Sequence, residues 1–188
     1  MEDNIFGKTI VSFIGRVTYQ KGPDYFVEAA AKVLEKDRNF VFVMAGDGDM
    51  LDKMTALVAK KRISENFFFT GFLKPDELKQ LLAETSVFVM PSVSEPFGIA
   101  PLEAMSSGVA AVISRQSGVS EVLTHAIKVD FWDIDAMSDA IYSIGRHKVL
   151  SDMLCEKGKA EVAALTWDKA ADKLSELYNQ IANKTPQI

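Results

Sequence analysis

The sequence predicts a doubly wound α/β fold: a parallel sheet of about six strands, helices on both faces, and extra helices toward the C-terminus. Three observations predict it. Short apolar, β-branched runs alternate with segments whose apolar residues recur at helical spacing. Glycine or proline punctuates the passage from run to helix. The residues suited to chemistry fall in the loops that follow the runs, which right-handed crossovers gather at the carboxyl edge of the sheet. At 188 residues the chain reads as a single domain, 1–188, with a tail over 183–188.

Each element has its own justification. Thr9–Ile14, apolar and ending at Gly15, is a buried first strand. After the loop 16–22, Pro23 suits a first-turn helix position, and Tyr25, Phe26, Ala29, Ala30 and Val33 carry that helix to about Lys36. Phe40–Ala45 is the second strand, closed by Gly46-Asp-Gly48. The helix after it, from about Met50 to Arg62, turns Leu51, Met54, Leu57 and Val58 inward. Residues 66–70 form a third strand, and Pro75 followed by two acids opens a helix at its positive end. Residues 86–90 are the fourth strand, 109–113 the fifth and 126–129 the last, with a short helix over 119–123. Asp133 or Asp135 caps a helix running to about His147. Ser151 and Thr166 are N-caps for two more, the last reaching about Ile181 and carrying Trp167, Leu174, Leu177 and Tyr178 as an apolar face.

Composition narrows the partners. A net charge of −5, with 48% hydrophobic and 25% charged residues, is that of an ordinary globular protein and does not favour nucleic acid or an anionic membrane. Lys60-Lys61-Arg62 reads as a solvated helix end. The single cysteine, Cys155, excludes an intrachain disulfide and reads as a small buried apolar residue. No run is long enough to span a bilayer, and Met1-Glu-Asp-Asn has no signal-peptide character, so a cytoplasmic location is expected.

Two stretches carry chemistry. In the first, Ser92-Val-Ser-Glu-Pro-Phe-Gly-Ile-Ala-Pro-Leu-Glu-Ala-Met-Ser-Ser-Gly108, two carboxylates flank a glycine turn at a helix start. Pro96 and Gly98 keep Glu95 off the helix, Pro101 fits its first turn, and Glu103 lies in or just past that turn. Backbone N–H groups around Gly98 and Ile99, with acids on either side, suit a phosphorylated, polyhydroxylated ligand. The second stretch is the loop after the first strand, where Arg16 and Lys21 can neutralise a diphosphate. Other signals are weaker. Gly46-Asp-Gly-Asp-Met-Leu51 lacks the third glycine of a dinucleotide fingerprint, and no P-loop exists. Asp47-x-Asp49 resembles a metal-binding pair, but Asp133-x-Asp135 repeats it, and both suit turns and helix starts without a metal. His125 and His147 have no companions at ligand or triad spacing.

The element Glu95-Pro-Phe-Gly-Ile-Ala-Pro-Leu-Glu103, continued by Ala-Met-Ser-Ser-Gly108, closely resembles the C-terminal half of glycosyltransferase family 4, the retaining group 1 enzymes of GT-B architecture. Gly15-Arg16, Lys21-Gly22, Ala45-Gly-Asp-Gly48, Phe69-Thr-Gly-Phe72 and Ser117-Gly-Val-Ser-Glu121 follow the family's order, over roughly residues 8–183. The resemblance implies a Rossmann-like nucleotide-sugar-binding domain that transfers a glycosyl group from a UDP-, ADP- or GDP-sugar to an acceptor such as a glycan or glucan. Arg16 and Lys21 would hold and stabilise the leaving diphosphate, and Glu95 the hydroxyls of the transferred sugar. Glu103 would hold the ribose, the backbone of Phe97, Gly98 and Ile99 the sugar and phosphate, and the Phe72–Leu73 loop the base; Gly15, Gly46 and Gly48 complete the donor side. It implies no metal and no cofactor. It also implies an N-terminal GT-B domain, absent from this chain, without which the domain is inactive alone. A non-catalytic nucleotide-sugar-binding module is the alternative. Two departures stand out: Ala110 where proline is common, and Ser117-Gly118 where Gly-Gly is common.

Overall fold

The computed structural model describes residues 7–184. The expectations placed on residues 1–4, on 185–188 of the tail and on the Trp167 side chain lie outside the described residues. The strands are β1 (Thr9–Ile14), β2 (Phe40–Ala45), β3 (Phe67–Gly71), β4 (Val87–Met90), β5 (Ala110–Ser114) and β6 (Ile127–Val129). They form one sheet in the order β3-β2-β1-β4-β5-β6, and every neighbouring pair is parallel. The helices are α1 (Pro23–Lys36), α2 (Leu51–Lys60), α3 (Pro75–Glu84), α4 (Ala100–Ser106), α5 (Ile134–Arg146), α6 (Lys148–Ala163) and α7 (Trp167–Lys184). This is the expected doubly wound, Rossmann-like sheet with extra C-terminal helices.

Alternation along the strands divides the core. Val11, Phe13, Phe40, Phe42, Met44, Val87, Val89 and Val112 face α1, α2 and α5. Ile10, Val41 and Val43 meet Leu81 of α3, while Phe88, Met90, Ala111 and Ile113 meet α4. Strands buried on both faces carry no polar alternation, which explains their continuous apolar runs. Phe26 of α1 is fully buried, with ring centroids 5.7 Å from Phe13, Phe42 and Phe67. Burying one such side chain contributes about 1.5–3 kcal/mol.

Several boundaries differ from the sequence reading. β3 starts one residue later because Asn66 ends a 3-10 turn, and its side-chain amide donates to the carbonyls of Arg38 and Phe40 at 3.0 and 2.8 Å. The short helix expected over 119–123 is a 3-10 turn over Gly118–Glu121. Asp133 is the cap of α5, accepting from Ala136 N at 2.9 Å. Ser151 is not an N-cap. The backbone turns at His147 (φ −109°, ψ 92°) and α6 restarts at once, leaving Ser151 inside its first turn. Lys61 is not simply solvated, since it pairs with Glu28 of α1. Cys155 is half-buried. Among the described residues no helix is long and apolar enough to cross a membrane.

Strand order reverses between β1 and β4, so the loops after these two strands diverge to opposite sides and leave a crevice at the carboxyl edge. Arg16 and Lys21 follow β1 and Glu95 follows β4. The topology itself brings the two sequence stretches together.

Candidate active site

The loop after β1 is built by close approach. Val17 N donates to Asp47 O and Met50 N to Val17 O, at 2.9 and 3.0 Å. This joins it to the loop after β2. A Cβ on Gly46 would lie 1.8 Å from Gly15 O, and one on Gly48 2.4 Å from Val17 O, so both glycines are there because backbone meets backbone. A 3-10 turn over Tyr19–Lys21 then ends at Gly22 in the left-handed region (φ 64°). Val93 N donates to Gln20 O at 2.9 Å, tying this loop to the one after β4.

The loop after β4 is clamped from its other side. Gly118 N donates to Glu95 O at 2.9 Å and Val119 N to Phe97 O at 2.8 Å. A Cβ on Gly118 would fall 2.0 Å from Pro96 O. Ser117 fits in place of the common glycine: its φ of −92° needs no glycine, and its hydroxyl donates to Ser114 O at 2.7 Å. This clamp joins residues about two dozen positions apart across β5, and only the family's Gly-Gly pattern hinted at it. Gly98 turns the chain at φ 94° over the Met90 thioether into α4.

Two cavities result. One, of about 390 Å³, is lined by Lys21, Glu95, Phe97, Gly98, Ile99 and Ala100 over a floor of Phe13, Ile14 and Met90. Across it Lys21 and Glu95 form an ion pair, with side chains only 23% and 12% exposed. The N–H groups of Gly98, Ile99 and Ala100 donate to no protein acceptor among the described residues. Charge, acceptor and free donors therefore share one wall, a set that fits an anion bearing hydroxyl groups. The second cavity, of about 290 Å³, is lined by Gly15, Arg16, Gly46, Asp47, Phe72 and Leu73. Ile14 borders both. Arg16 is exposed and has no ion-pair partner among the described residues.

Not every expected residue converges. Arg16 and Lys21 line different cavities, Glu103 is exposed in the first turn of α4 and lines neither, and Gly48 acts through packing. Asp47 accepts from its own turn, at Gly48 N, 2.7 Å away. His125 is satisfied by Glu161, with Nδ1 3.1 Å from Oε2.

The sequence matches the family model for glycosyl transferases group 1 over residues 3–161. It is 36% identical over 175 residues to an uncharacterised glycosyltransferase of Methanocaldococcus jannaschii, covering 90% of this chain and 44% of that protein. It is 28% identical over 186 residues to the Escherichia coli UDP-Gal:alpha-D-GlcNAc-diphosphoundecaprenol alpha-1,3-galactosyltransferase, covering 93% of this chain and 46% of that enzyme. The chain thus spans less than half the length of these curated relatives. In fold it is similar to Anabaena HepE in complex with UDP-glucose, with a TM-score of 0.81 at 17% identity over 92% of this chain and 50% of that one. The chain belongs to the group 1 glycosyltransferases, and its sheet is that of the C-terminal domain of their GT-B architecture.

Proposed function

We propose that this domain binds a nucleotide-diphosphate sugar and supplies the donor half of a retaining glycosyl transfer, an N-terminal GT-B domain supplying the acceptor side. The observation that carries this reading is the cavity in which the Lys21 ammonium, the Glu95 carboxylate and the free N–H groups of Gly98 and Ile99 face one space. HepE in complex with UDP-glucose and the UDP-Gal enzyme of Escherichia coli support a nucleotide-sugar donor.

On this reading the donor diphosphate takes Lys21 from Glu95 and gains the Arg16 guanidinium, whose charge no group among the described residues pairs. Glu95, released, accepts from hydroxyls of the sugar. Glu103 reaches the ribose, and the Phe72–Leu73 loop, with Phe72 83% exposed beside the second cavity, meets the base. The bond from the anomeric carbon to the diphosphate oxygen breaks as the acceptor hydroxyl attacks from the same face. The departing phosphate takes the hydroxyl proton. Fixed cations stabilise the negative charge that develops on the leaving group, the role a metal plays elsewhere.

Calorimetric titration with UDP, ADP and GDP tests the assignment. One of them binds, and Arg16→Ala and Glu103→Ala each weaken it by about tenfold, the equivalent of about 1.4 kcal/mol. The assignment fails if no nucleotide binds or if both variants bind as the unaltered chain does.

A further inference from the structure

The amino edge of the sheet, opposite the candidate active site, carries a second constellation. An open cavity of about 600 Å³ is lined by Lys8, Arg38, Arg62, Ser64, Glu65 and Asn66. Its three cations come from the start of β1, the turn between α1 and β2, and the end of α2. None of them has an ion-pair partner among the described residues. The nearest candidate in sequence, Asp37, is held elsewhere, accepting from Asn39 N at 2.8 Å and pairing with Arg146. Glu65 is the one carboxylate on the wall. In a chain with five more acids than bases, three unpaired cations around one concavity form a local reversal of charge.

Two features show that the cluster is built. Buried Asn66 holds the backbone on which Arg38 stands, through its bond to Arg38 O at 3.0 Å. Arg62 is the one non-glycine residue with positive φ (58°) among the described residues. It follows the last turn of α2, where Ile63 N reaches back to Val58 O at 3.3 Å, a helix ending whose left-handed position ordinarily belongs to glycine. Arginine there costs backbone stability that glycine would not. No acceptor among the described residues pairs with its guanidinium, which stays available on the cavity wall.

We propose that this amino-edge cavity is a binding site for a phosphate-bearing anion, separate from the donor site. Guanidinium groups match phosphate oxygens in bidentate geometry, and Lys8, the Ser64 hydroxyl and water complete the shell. The phosphate belongs either to a soluble phosphorylated molecule or to a lipid headgroup.

The probe is inorganic pyrophosphate, added to the whole chain and followed residue by residue through backbone amide NMR shifts, which separate the two edges, in an Arg16→Ala background that weakens the carboxyl edge. The amides of Arg38 and of residues 62–66 move and saturate, and added salt weakens the effect. In R38Q/R62G, binding at these amides falls by about tenfold or more, while E65Q tightens it a few-fold. R62G alone raises Tm yet binds less, which separates a ligand role from a structural one. Co-sedimentation with vesicles of phosphatidylglycerol and phosphatidylcholine identifies the source. Capture that R38Q/R62G abolishes, without a pyrophosphate response, assigns the phosphate to a lipid; the reverse assigns it to a soluble ligand. The proposal is overturned if neither probe engages these residues or if R38Q/R62G binds both as the unaltered chain does.

Discussion

Lys21 and Glu95 stand 74 positions apart in the chain and meet across the larger cavity of the carboxyl edge. Removing one member of so shielded a pair leaves the other without its counter-charge. Glu95→Gln therefore has opposite effects on two ligands. A free nucleoside diphosphate binds a few-fold tighter, because Lys21 no longer has to leave a carboxylate, while the nucleotide sugar binds about tenfold weaker for want of an anionic acceptor. Titrating both ligands into both proteins checks this; a parallel shift would show that Glu95 does not face the sugar. Gly118→Ala tests the clamp from a distance. Its Cβ would arrive 2.0 Å from Pro96 O, and backbone cannot yield cheaply. We expect a loss of about 1–3 kcal/mol in thermal unfolding together with weakened nucleotide binding, since Glu95 O and Phe97 O both accept from the displaced segment.

Between elements, one contact gives a pH dependence. Glu161 of α6 accepts from Thr124 N and His125 N at 2.7 and 2.9 Å, pinning α6 to the turn before β6. Burial works against its charged form, but the N–H bonds from His125 and Thr124 outweigh this and hold the carboxyl below its ordinary value of 4.5. A folded value below the unfolded one makes the contribution complete above about pH 4.5 and lost as pH falls through the folded value. Glu161→Gln costs about 1 kcal/mol near neutrality and flattens the fall of Tm between about pH 5 and pH 3; an unchanged slope would mean that other carboxylates carry the acid sensitivity. This contact was not legible in the sequence, because it joins residues 37 apart through loop geometry. The strands were legible, since burial on both faces turns Phe40–Ala45 and Val87–Met90 into unbroken apolar runs. So was the placement of Arg16, Lys21 and Glu95 at one edge, which follows from parallel strands alone. The start of α6 was not: Ser151 is a good cap by chemistry, but the chain turns earlier, at His147, where no side chain caps.

At the scale of the molecule, burial among the described residues stops well before α7 does. The last of them that are buried are Leu154 and Gly158 of α6, and residues 168–181 of α7 are exposed throughout. Leu174, Leu177 and Tyr178, from the apolar face that the sequence places on this helix, stand open along it, between 50% and 63% exposed. An amphipathic helix whose described apolar side chains stay half exposed or more gains little from tertiary burial, the main source of helix stability in proteins. Chains ending after Leu165 should therefore keep the sheet intact, with Tm within about 2 °C of the whole chain, a change of roughly 1 kcal/mol or less for a domain of this size. Nucleotide affinity should also be unchanged, because no described residue of α7 lines either carboxyl-edge cavity. Calorimetric unfolding and nucleotide titration of the shortened chain measure both. A fall in Tm of about 8 °C or more would show that α7 supports the core, and its exposed leucines would then have to be reckoned part of the domain's own packing.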